Sequence, residues 1–275
     1  APGSAEAELL EHTACAQPAL FVTAVALHRL LESFGLTPEL LCGHSVGEIS
    51  AAHIAGVLSL PDAAKLICAR GALMGALPEG GAMAAIEATE AEALQWLSGK
   101  EAELSLAAVN SPLSCVISGR EEAISQAESH WQEQGRKTKR LDVSHAFHSP
   151  LIEPMLEQFE QVARTLTYNP PRIPILSCLT AEPLSPEQAT DPAHWVSHVR
   201  EPVRFAAAVK ALAEAGATAF LELGPEPVLC AMAEACLEAE GQGAALIPTL
   251  REGRPEPAAL LGALAQAHAA GAPID

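Results

Sequence analysis

The spacing of apolar residues predicts a mainly helical beginning to the chain. Over residues 17–34 the apolar positions recur at helical intervals, and Gly35 marks the end of that helix. A short apolar segment at 40–42 then precedes a glycine-containing turn. Helical spacing resumes over 48–58 and again over 59–77. These residues therefore predict three helices and one short strand.

After Gly80 the pattern changes to short apolar strands alternating with helices that carry one polar face. The predicted elements are, in order, strand 82–86, helix 88–99, strands 104–110 and 115–119, helix 120–135 and strand 136–144. The order β-α-β-β-α-β is that of the ferredoxin-like unit. We predict a ferredoxin-like small subdomain at 81–144, inserted into a large subdomain made of 1–80 and 145–275.

The remainder of the chain alternates helices with strands. It predicts helices at 149–166, 202–216 and 255–271, and strands at 173–180 and 219–225. Such alternation favours a mainly parallel sheet covered by helices on both faces. The expected fold is α/β: a hydrolase-like large subdomain with a short parallel sheet, plus the inserted small subdomain.

Composition excludes several classes of protein. With 49% hydrophobic and 18% charged residues, the chain is expected to pack as a globular protein. Its net charge of −18 repels a phosphate backbone, so nucleic acid is not an expected partner. Seven cysteines without Cys-x-x-Cys spacing predict neither a disulfide framework nor a metal site. Without an evident signal peptide or long apolar run, we expect a cytoplasmic protein with no membrane partner.

The segment Gly43-His44-Ser45-Val46-Gly47 has the pattern of a nucleophile elbow, because it lies between a short apolar run and a helix. A turn this tight excludes side chains at its glycines. The N-terminus of the following helix stabilises an oxyanion through its free N–H groups and dipole. We predict Ser45 as a nucleophile. The alternative is a loop serine in a chain rich in alanine and glycine.

A serine hydroxyl needs a neighbouring base to act as a nucleophile. His145 and His148 lie in "HAFH", where the insert returns to the large subdomain, and a cleft between subdomains is a common place for a site. His44 directly precedes the serine and is expected to point away from it. His194 and His198 remain alternatives that their spacing does not exclude.

Several motifs occur in a recognisable order over essentially the whole chain: GHSVGE (43–48), GGAMAAI (80–86), AVNSPLSCVISG (108–119), HAFHSPLIEPML (145–156), EPVRFAAAV (201–209) and FLELGPEPVL (220–229). Together they resemble the malonyl-CoA:acyl carrier protein transacylases, most closely the acyltransferase domains of modular type I polyketide synthases. The resemblance implies transfer of a malonyl unit from malonyl-CoA to the phosphopantetheine thiol of an acyl carrier protein. It also implies neighbouring ketosynthase and linker domains, and no cofactor bound by the domain itself.

The resemblance assigns roles to individual residues. Ser45 attacks the thioester, and His148 acts as general base and then as general acid. The N–H of Val46 is an oxyanion donor, and a backbone carbonyl near Glu201 orients the histidine, so the site is a dyad. Arg70 pairs with the free carboxylate of malonate, a task that suits the planar guanidinium fork.

The same resemblance places Gln17, His44, His145 and Phe147 around the acyl group. In this family "HAFH" accompanies malonyl selectivity and "YASH" methylmalonyl selectivity, because a phenylalanine fills the space that an α-methyl group needs. Val46 is also the residue more often seen with malonyl. Malonyl is therefore the expected extender unit, and methylmalonyl is the alternative.

Two features depart from the family or leave its function open. The family has an upstream strand ending in Gly-Gln-Gly, whose glutamine N–H supplies half of the oxyanion hole; this sequence begins after that point, and its Gly-Gln-Gly at 241–243 lies in another context. We therefore expect the N-terminal strand to be absent and Val46 to be the remaining donor. A serine hydrolase or thioesterase of the α/β-hydrolase type shares the elbow and is the alternative function, although the insert and Arg70 count against it.

The run "RKTKR" at 136–140 is the densest basic patch of an acidic chain. It is predicted to be either a solvated edge strand or a docking site for an acidic carrier protein.

Overall fold

Three helices surround a two-residue strand at the start of the chain. In the computed structural model, which describes residues 9–274, these elements are α1 (Thr13–Glu32), β1 (Leu41–Cys42), α2 (Val46–Ile54) and α3 (Leu60–Gly75). Helices α1 and α3 approach closely at Gly71, where a Cβ atom would lie 3.1 Å from the carbonyl oxygen of Thr13. This close approach brings side chains of α1 beside the residues of α3.

Helix α1 is long and strongly apolar. Its 20 residues and mean hydropathy of 1.4 would allow it to cross a membrane by length and composition. In this fold Phe21 and Leu31 of α1 are buried.

The middle of the chain forms a four-stranded antiparallel sheet with two helices, which we call the antiparallel unit. Its elements are β2 (Gly81–Ile86), α4 (Glu90–Leu97), β3 (Leu104–Ser111), β4 (Ser114–Arg120), α5 (Glu121–Glu133) and β5 (Thr138–Arg140). The strand order β3-β4-β2-β5 is that of a ferredoxin-like sheet. Strand β5 is shorter than the predicted strand 136–144, because Val143 N–H turns back to the Leu141 carbonyl. The subdomain boundaries at 81 and 144 stay a prediction.

The last part of the chain is richer in helices than predicted. A 3₁₀ turn at Pro150–Ile152 leads into α6 (Glu153–Ala163), β6 (Ile175–Leu176), α7 (Pro186–Ala189), α8 (Pro192–Arg200), α9 (Phe205–Glu214), β7 (Ala219–Glu222), α10 (Val228–Ala239), β8 (Ala245–Pro248) and α11 (Glu256–Ala269). Helices α7, α8 and α10 are additions to the predicted elements.

The α/β class is confirmed, but the parallel strands do not form one sheet. Over residues 9–274 they form two separate parallel pairs, β1 with β6 and β7 with β8. Strand β1 ends where the turn at Gly43 begins. Strand β6 ends because Ser177 N–H bonds to the Glu182 carbonyl in a turn, so the predicted strand 173–180 is reduced to two residues.

Phe147 and Val203 connect the antiparallel unit with the helical part of the molecule. Phe147 packs against the core between the helices and also against the core between β3, β4, α9 and α10. Val203 extends the sheet beside β3, because its N–H bonds to the Ala107 carbonyl and its carbonyl accepts from Val109 N–H, both at 2.9 Å. The antiparallel unit and the helical part of the molecule therefore meet near the C-terminal end of α8.

Candidate active site

Ser45 lies in a strained backbone conformation at the start of α2. Its φ of 47° and ψ of −115° are unusual for a residue with a side chain and cost about 1–3 kcal/mol. A Cβ atom at Gly43 would lie 2.2 Å from the backbone N of Glu48, so only glycine fits there. A Cβ atom at Gly47 meets open space, and the predicted steric need for glycine at that position is wrong.

Ser45 and His148 form a hydrogen-bonded pair. The Ser45 Oγ atom lies 2.9 Å from His148 Nε2, and His148 Nδ1 lies 2.8 Å from the backbone carbonyl oxygen of Glu201. Because a carbonyl oxygen only accepts, Nδ1 carries the proton and Nε2 has a free lone pair. The Glu201 carbonyl thus holds His148 in the tautomer that accepts the Ser45 hydroxyl proton.

The surroundings of His148 keep it neutral. Burial lowers its pKa well below the ordinary value of 6.5, and the positive charge of Arg70 and that of a protonated His198 lower it further. The hydrogen bond to the Glu201 carbonyl acts in the opposite direction and is outweighed. A neutral imidazole is the form that accepts a proton.

Arg70 of α3 reaches the nucleophile from the other side. Its Nη2 atom donates to Ser45 Oγ at 2.9 Å, and its Nη1 atom donates to Gln17 Oε1 at 2.5 Å. The residue is 3% exposed, and burial lowers its pKa to about 10. Its Nε atom is buried without a hydrogen-bond partner in the described structure. Within the described chain, no carboxylate forms an ion pair with this guanidinium.

Gln17 of α1 fixes the orientation of that guanidinium. Its Nε2 atom donates to Thr13 Oγ1 at 2.9 Å and approaches Met74 Sδ at 3.1 Å. With both contacts made by the amide nitrogen, the amide oxygen faces Arg70.

The other predicted site residues occupy different positions around the elbow. His44 points away from Ser45, as expected, and its Nε2–H donates to Asn110 Oδ1 at 2.9 Å. His145 uses both ring nitrogens on the protein, with Nε2 at 3.1 Å from the Leu77 carbonyl and Nδ1 at 3.0 Å from Ser144 Oγ. Their predicted contact with substrate stays a prediction.

Val46 is the first residue of α2, so its N–H has no partner within the helix and lies next to the nucleophile. Its predicted role as an oxyanion donor therefore stays open to test. Phe147 directly precedes His148, and its half-buried ring packs against both neighbouring cores; its predicted role beside the acyl group stays a prediction.

A second group of buried polar residues lies behind the elbow, and sequence reasoning missed its centre. Glu48 is fully buried; its carboxylate accepts from Ser177 Oγ at 2.6 Å and from Cys178 N–H at 2.9 Å. His194 Nε2 and His198 Nε2 lie 3.5 and 3.3 Å from its two oxygens. Burial raises the pKa of Glu48, but the positive charge and hydrogen bonds of the histidines and the Ser177 hydroxyl outweigh it and lower the pKa overall.

The histidine alternatives are thereby resolved in geometric terms. His148 contacts Ser45, whereas His194 and His198 contact Glu48. Asn110 lies in the motif AVNSP, but its contact with His44 was not predicted from the sequence. Across the described residues, no cluster of three or more histidine, cysteine, aspartate or glutamate side chains has an arrangement suited to a metal ion. The arrangement brings together a serine hydroxyl, a neutral imidazole and a buried guanidinium that has no carboxylate partner among the described residues.

Comparison with known proteins identifies relatives of the whole described fold. The model of the acyl transferase domain family matches residues 3–273. The spectinabilin polyketide synthase system protein NorB of Streptomyces orinoci is 50% identical over 99% of the chain. The acyltransferase domain from the second module of the salinomycin polyketide synthase superposes with a TM-score of 0.94 at 51% identity over 100% of the chain.

A second solved relative has the same fold. The malonyl-CoA:acyl carrier protein transacylase of Xanthomonas oryzae pv. oryzae superposes with a TM-score of 0.84 at 34% identity, over 96% of this chain and 82% of that one. The present chain spans 13% of the NorB protein and 63% of the solved salinomycin chain.

Proposed function

This chain belongs to the acyl transferase domain family, in the form found in modular type I polyketide synthases, and on that premise we propose that it transfers malonyl units. It takes the malonyl group from malonyl-CoA onto Ser45 and passes it to the phosphopantetheine thiol of an acyl carrier protein. The domain itself binds no cofactor. Neighbouring ketosynthase and linker domains are its expected partners within a synthase.

One observation supports the choice of substrate: Arg70 is buried beside Ser45, and no carboxylate among residues 9–274 pairs with it. Burying an unpaired charge is costly, so a binding site that contains one favours a ligand of opposite charge. Arg70 Nη2 is one hydrogen bond from Ser45 Oγ. An acyl group that ends in a carboxylate therefore places its carboxylate on the guanidinium and its thioester carbonyl near the serine.

The first half of the reaction starts from the hydrogen-bonded pair of Ser45 and His148. The Ser45 hydroxyl gives its proton to His148 Nε2, and Oγ attacks the carbonyl carbon of malonyl-CoA. The oxyanion forms beside the Val46 N–H and the N-terminus of α2. Collapse of the tetrahedral intermediate breaks the carbon–sulfur bond, and the His148 imidazolium protonates the departing CoA thiolate. The product is a malonyl ester on Ser45.

The second half reverses these steps with a different thiol. His148 removes the proton of the phosphopantetheine thiol, and the sulfur attacks the malonyl ester. The Ser45 alkoxide leaves and recovers its proton from His148. Water is the competing nucleophile, and its attack would make the protein a hydrolase.

Phe147 supports malonyl over methylmalonyl. Its half-buried ring lies between two cores, so it has little freedom to move away from an α-methyl group. A methyl group in an apolar pocket changes affinity by only about 1–3 kcal/mol, so strong selectivity requires such a steric obstacle.

Intact-mass measurement tests this function directly. The chain is incubated separately with malonyl-CoA and methylmalonyl-CoA, with Ser45→Ala and His148→Ala as controls. We expect a malonyl adduct that requires Ser45 and forms far more slowly without His148. Addition of a phosphopantetheinylated carrier protein should move the adduct to the carrier. Release of free malonate would support the hydrolase alternative, and the absence of an adduct would contradict the proposal.

A further inference from the structure

Glu48 joins three separate parts of the chain through one buried carboxylate. It lies in the first turn of α2, three residues after Ser45. Its two oxygens accept from Ser177 Oγ and Cys178 N–H, in the segment that follows β6. The same oxygens face His194 and His198 of α8. Movement of any of these parts relative to α2 would disturb the contacts of the carboxylate.

Helix α8 leads directly to the residue that orients the base. His194 and His198 are on one face of α8, four residues apart, and Glu201 caps its C-terminus. The Glu201 carbonyl accepts from His148 Nδ1 at 2.8 Å. Glu48 therefore connects the helix that begins at the nucleophile with the helix that ends at the carbonyl orienting the base.

We propose that Glu48, held between His194 and His198, is a positioning residue that fixes the Ser45 nucleophile relative to the His148 base. The proposal rests on the acyltransferase function proposed above. Glu48 touches neither Ser45 Oγ nor the His148 ring in the hydrogen bonds described, so it acts through α2 and α8.

The contacts favour a role for charge rather than for packing alone. Neither His194 Nε2 nor His198 Nε2 forms a regular hydrogen bond in the described structure, and the acidic group that both atoms face is the Glu48 carboxylate, at 3.5 and 3.3 Å. Apolar side chains of similar volume would join two helices at least as stably as a buried ion pair does. The Glu48 carboxylate instead fixes direction, because its hydrogen bonds from Ser177 Oγ and Cys178 N–H restrict the positions of its oxygens, which also face the two imidazoles.

A change at Glu48 also alters the charge near the base. A protonated His198 lowers the pKa of both His148 and His44. The titratable and charged groups around this cluster are Cys42, His44, Arg70, His148, Cys178, His194 and His198.

The variant Glu48→Gln tests the proposal by the rate of malonyl-enzyme formation. We expect kcat to fall by about 100-fold, the effect of displacing reacting groups by about 1 Å, with little change in KM for malonyl-CoA. The acid limb of the kcat/KM profile should also shift, because a charge near the base has been removed. In a double-mutant cycle, Glu48→Gln with His198→Gln should lose about as much as either change alone, because the two residues act as a unit.

Controls separate positioning from a general loss of stability. Ile117→Ala removes a fully buried side chain from the antiparallel unit, and it should retain kcat and the pH profile at an equal or larger loss of Tm. If Glu48→Gln fails to fold, His198→Gln carries the same measurements.

The outcomes also separate this proposal from the function. Wild-type chain that forms no malonyl-enzyme contradicts the proposed function. Wild-type chain that forms it while Glu48→Gln retains kcat and the pH profile overturns the positioning role. A loss of kcat equal to that of Ile117→Ala at matched Tm, with an unchanged pH profile, overturns it as well.

Discussion

Arg70 and Glu48 are both buried charges near the elbow, and the protein treats them differently. Glu48 lies behind the nucleophile, where four polar groups of the chain surround its carboxylate. Arg70 lies on the other side, where its guanidinium donates to the neutral oxygens of Ser45 and Gln17 and, in the part of the chain that the structure describes, to no carboxylate. On the two proposals above, Glu48 holds the elements around the elbow in place, whereas Arg70 binds the carboxylate of a ligand. The two sides of the elbow thus have different tasks.

The sharpest test of this difference is Arg70→Gln. Loss of one member of a buried charge pair costs about 2–5 kcal/mol, so we expect kcat/KM for malonyl-CoA to fall by about 100-fold or more. Acetyl-CoA has no carboxylate for Arg70, and its slower reaction should change little. Acylation by the two thioesters is compared in the wild type, in Arg70→Gln and in Glu48→Gln.

The contrast between Arg70 and Glu48 is contradicted if Arg70→Gln and Glu48→Gln change the rates with malonyl-CoA and acetyl-CoA in the same way. Glu48→Gln should slow both thioesters by the same factor, because it displaces the dyad and not the acyl group. An equal loss for both thioesters in Arg70→Gln would contradict the assignment of Arg70 to the carboxylate. Arg70→Lys, which retains charge without the fork, should fall between wild type and Arg70→Gln.

Phe147→Ser tests the shape of the substrate side. Removal of the ring makes room for an α-methyl group, so the kcat/KM ratio of methylmalonyl-CoA to malonyl-CoA should rise by about 10-fold or more. Phe147→Leu, which keeps most of the bulk, should change the ratio much less. An equal change for both substrates in Phe147→Ser would assign the ring to stability rather than to selectivity.

The basic residues of the run 136–140 differ from Arg70 because they lie near the surface. In the predicted basic run, Arg136 pairs with Glu92, and Arg140 pairs with Glu121 and Glu128. Lys137, directly before the edge strand β5, and Lys139, within it, are both exposed. If they bind an acidic carrier protein, Lys137→Glu with Lys139→Glu should raise KM for the carrier by about 3- to 10-fold at low salt.

Salt distinguishes these lysines from Arg70. The effect of the lysine variant should disappear at high ionic strength, because exposed charges are screened, whereas that of Arg70→Gln should persist. Lys65→Glu with Lys210→Glu makes the same change in net charge elsewhere and is the matched control. Equal KM values for the carrier in both double variants would contradict docking at β5.

The smallest expected effect is that of pH on the wild type. If neutral His148 is the base, kcat/KM should stay nearly constant as pH falls from 8 through 6.5 and decrease only at lower pH, because the pKa of His148 lies well below 6.5. Initial rates with malonyl-CoA at constant ionic strength measure this. An acid limb at or above 6.5 would contradict the neutralising effect of burial and Arg70.

The antiparallel unit was predictable because each of its elements has a full period of its own pattern. Strand β2 and helix α5, for example, lie within two residues of their predicted ends. The parallel strands are too short for a period of two to define their ends, so 173–180 was predicted too long. Helix α8 carries two histidines and several polar residues, and its helical face is recognisable only once Glu48 is seen to contact it.

The site was predictable in part, and for a different reason. Ser45, His148 and Arg70 are far apart in sequence, and spacing alone could not choose His148 over His194 or His198. Ordered motifs from a family resemblance brought these three residues together, and the distances between them agree. Asn110 and Glu48 were present in those motifs but lacked a chemical reason, because their partners come from distant elements.

The pairing of Val203 with β3 matters for protein engineering. Glu201, whose carbonyl orients His148, lies two residues before Val203. The backbone of Val203 continues the sheet of the antiparallel unit. A chimera that exchanges this unit between two synthases would keep the recipient's Glu201. That residue would then lie beside strand β3 of the donor. Retention of activity in such hybrids should therefore follow the fit at Ala107, Val109 and Val203, and exchange of the unit together with the segment through Val203 should preserve the register.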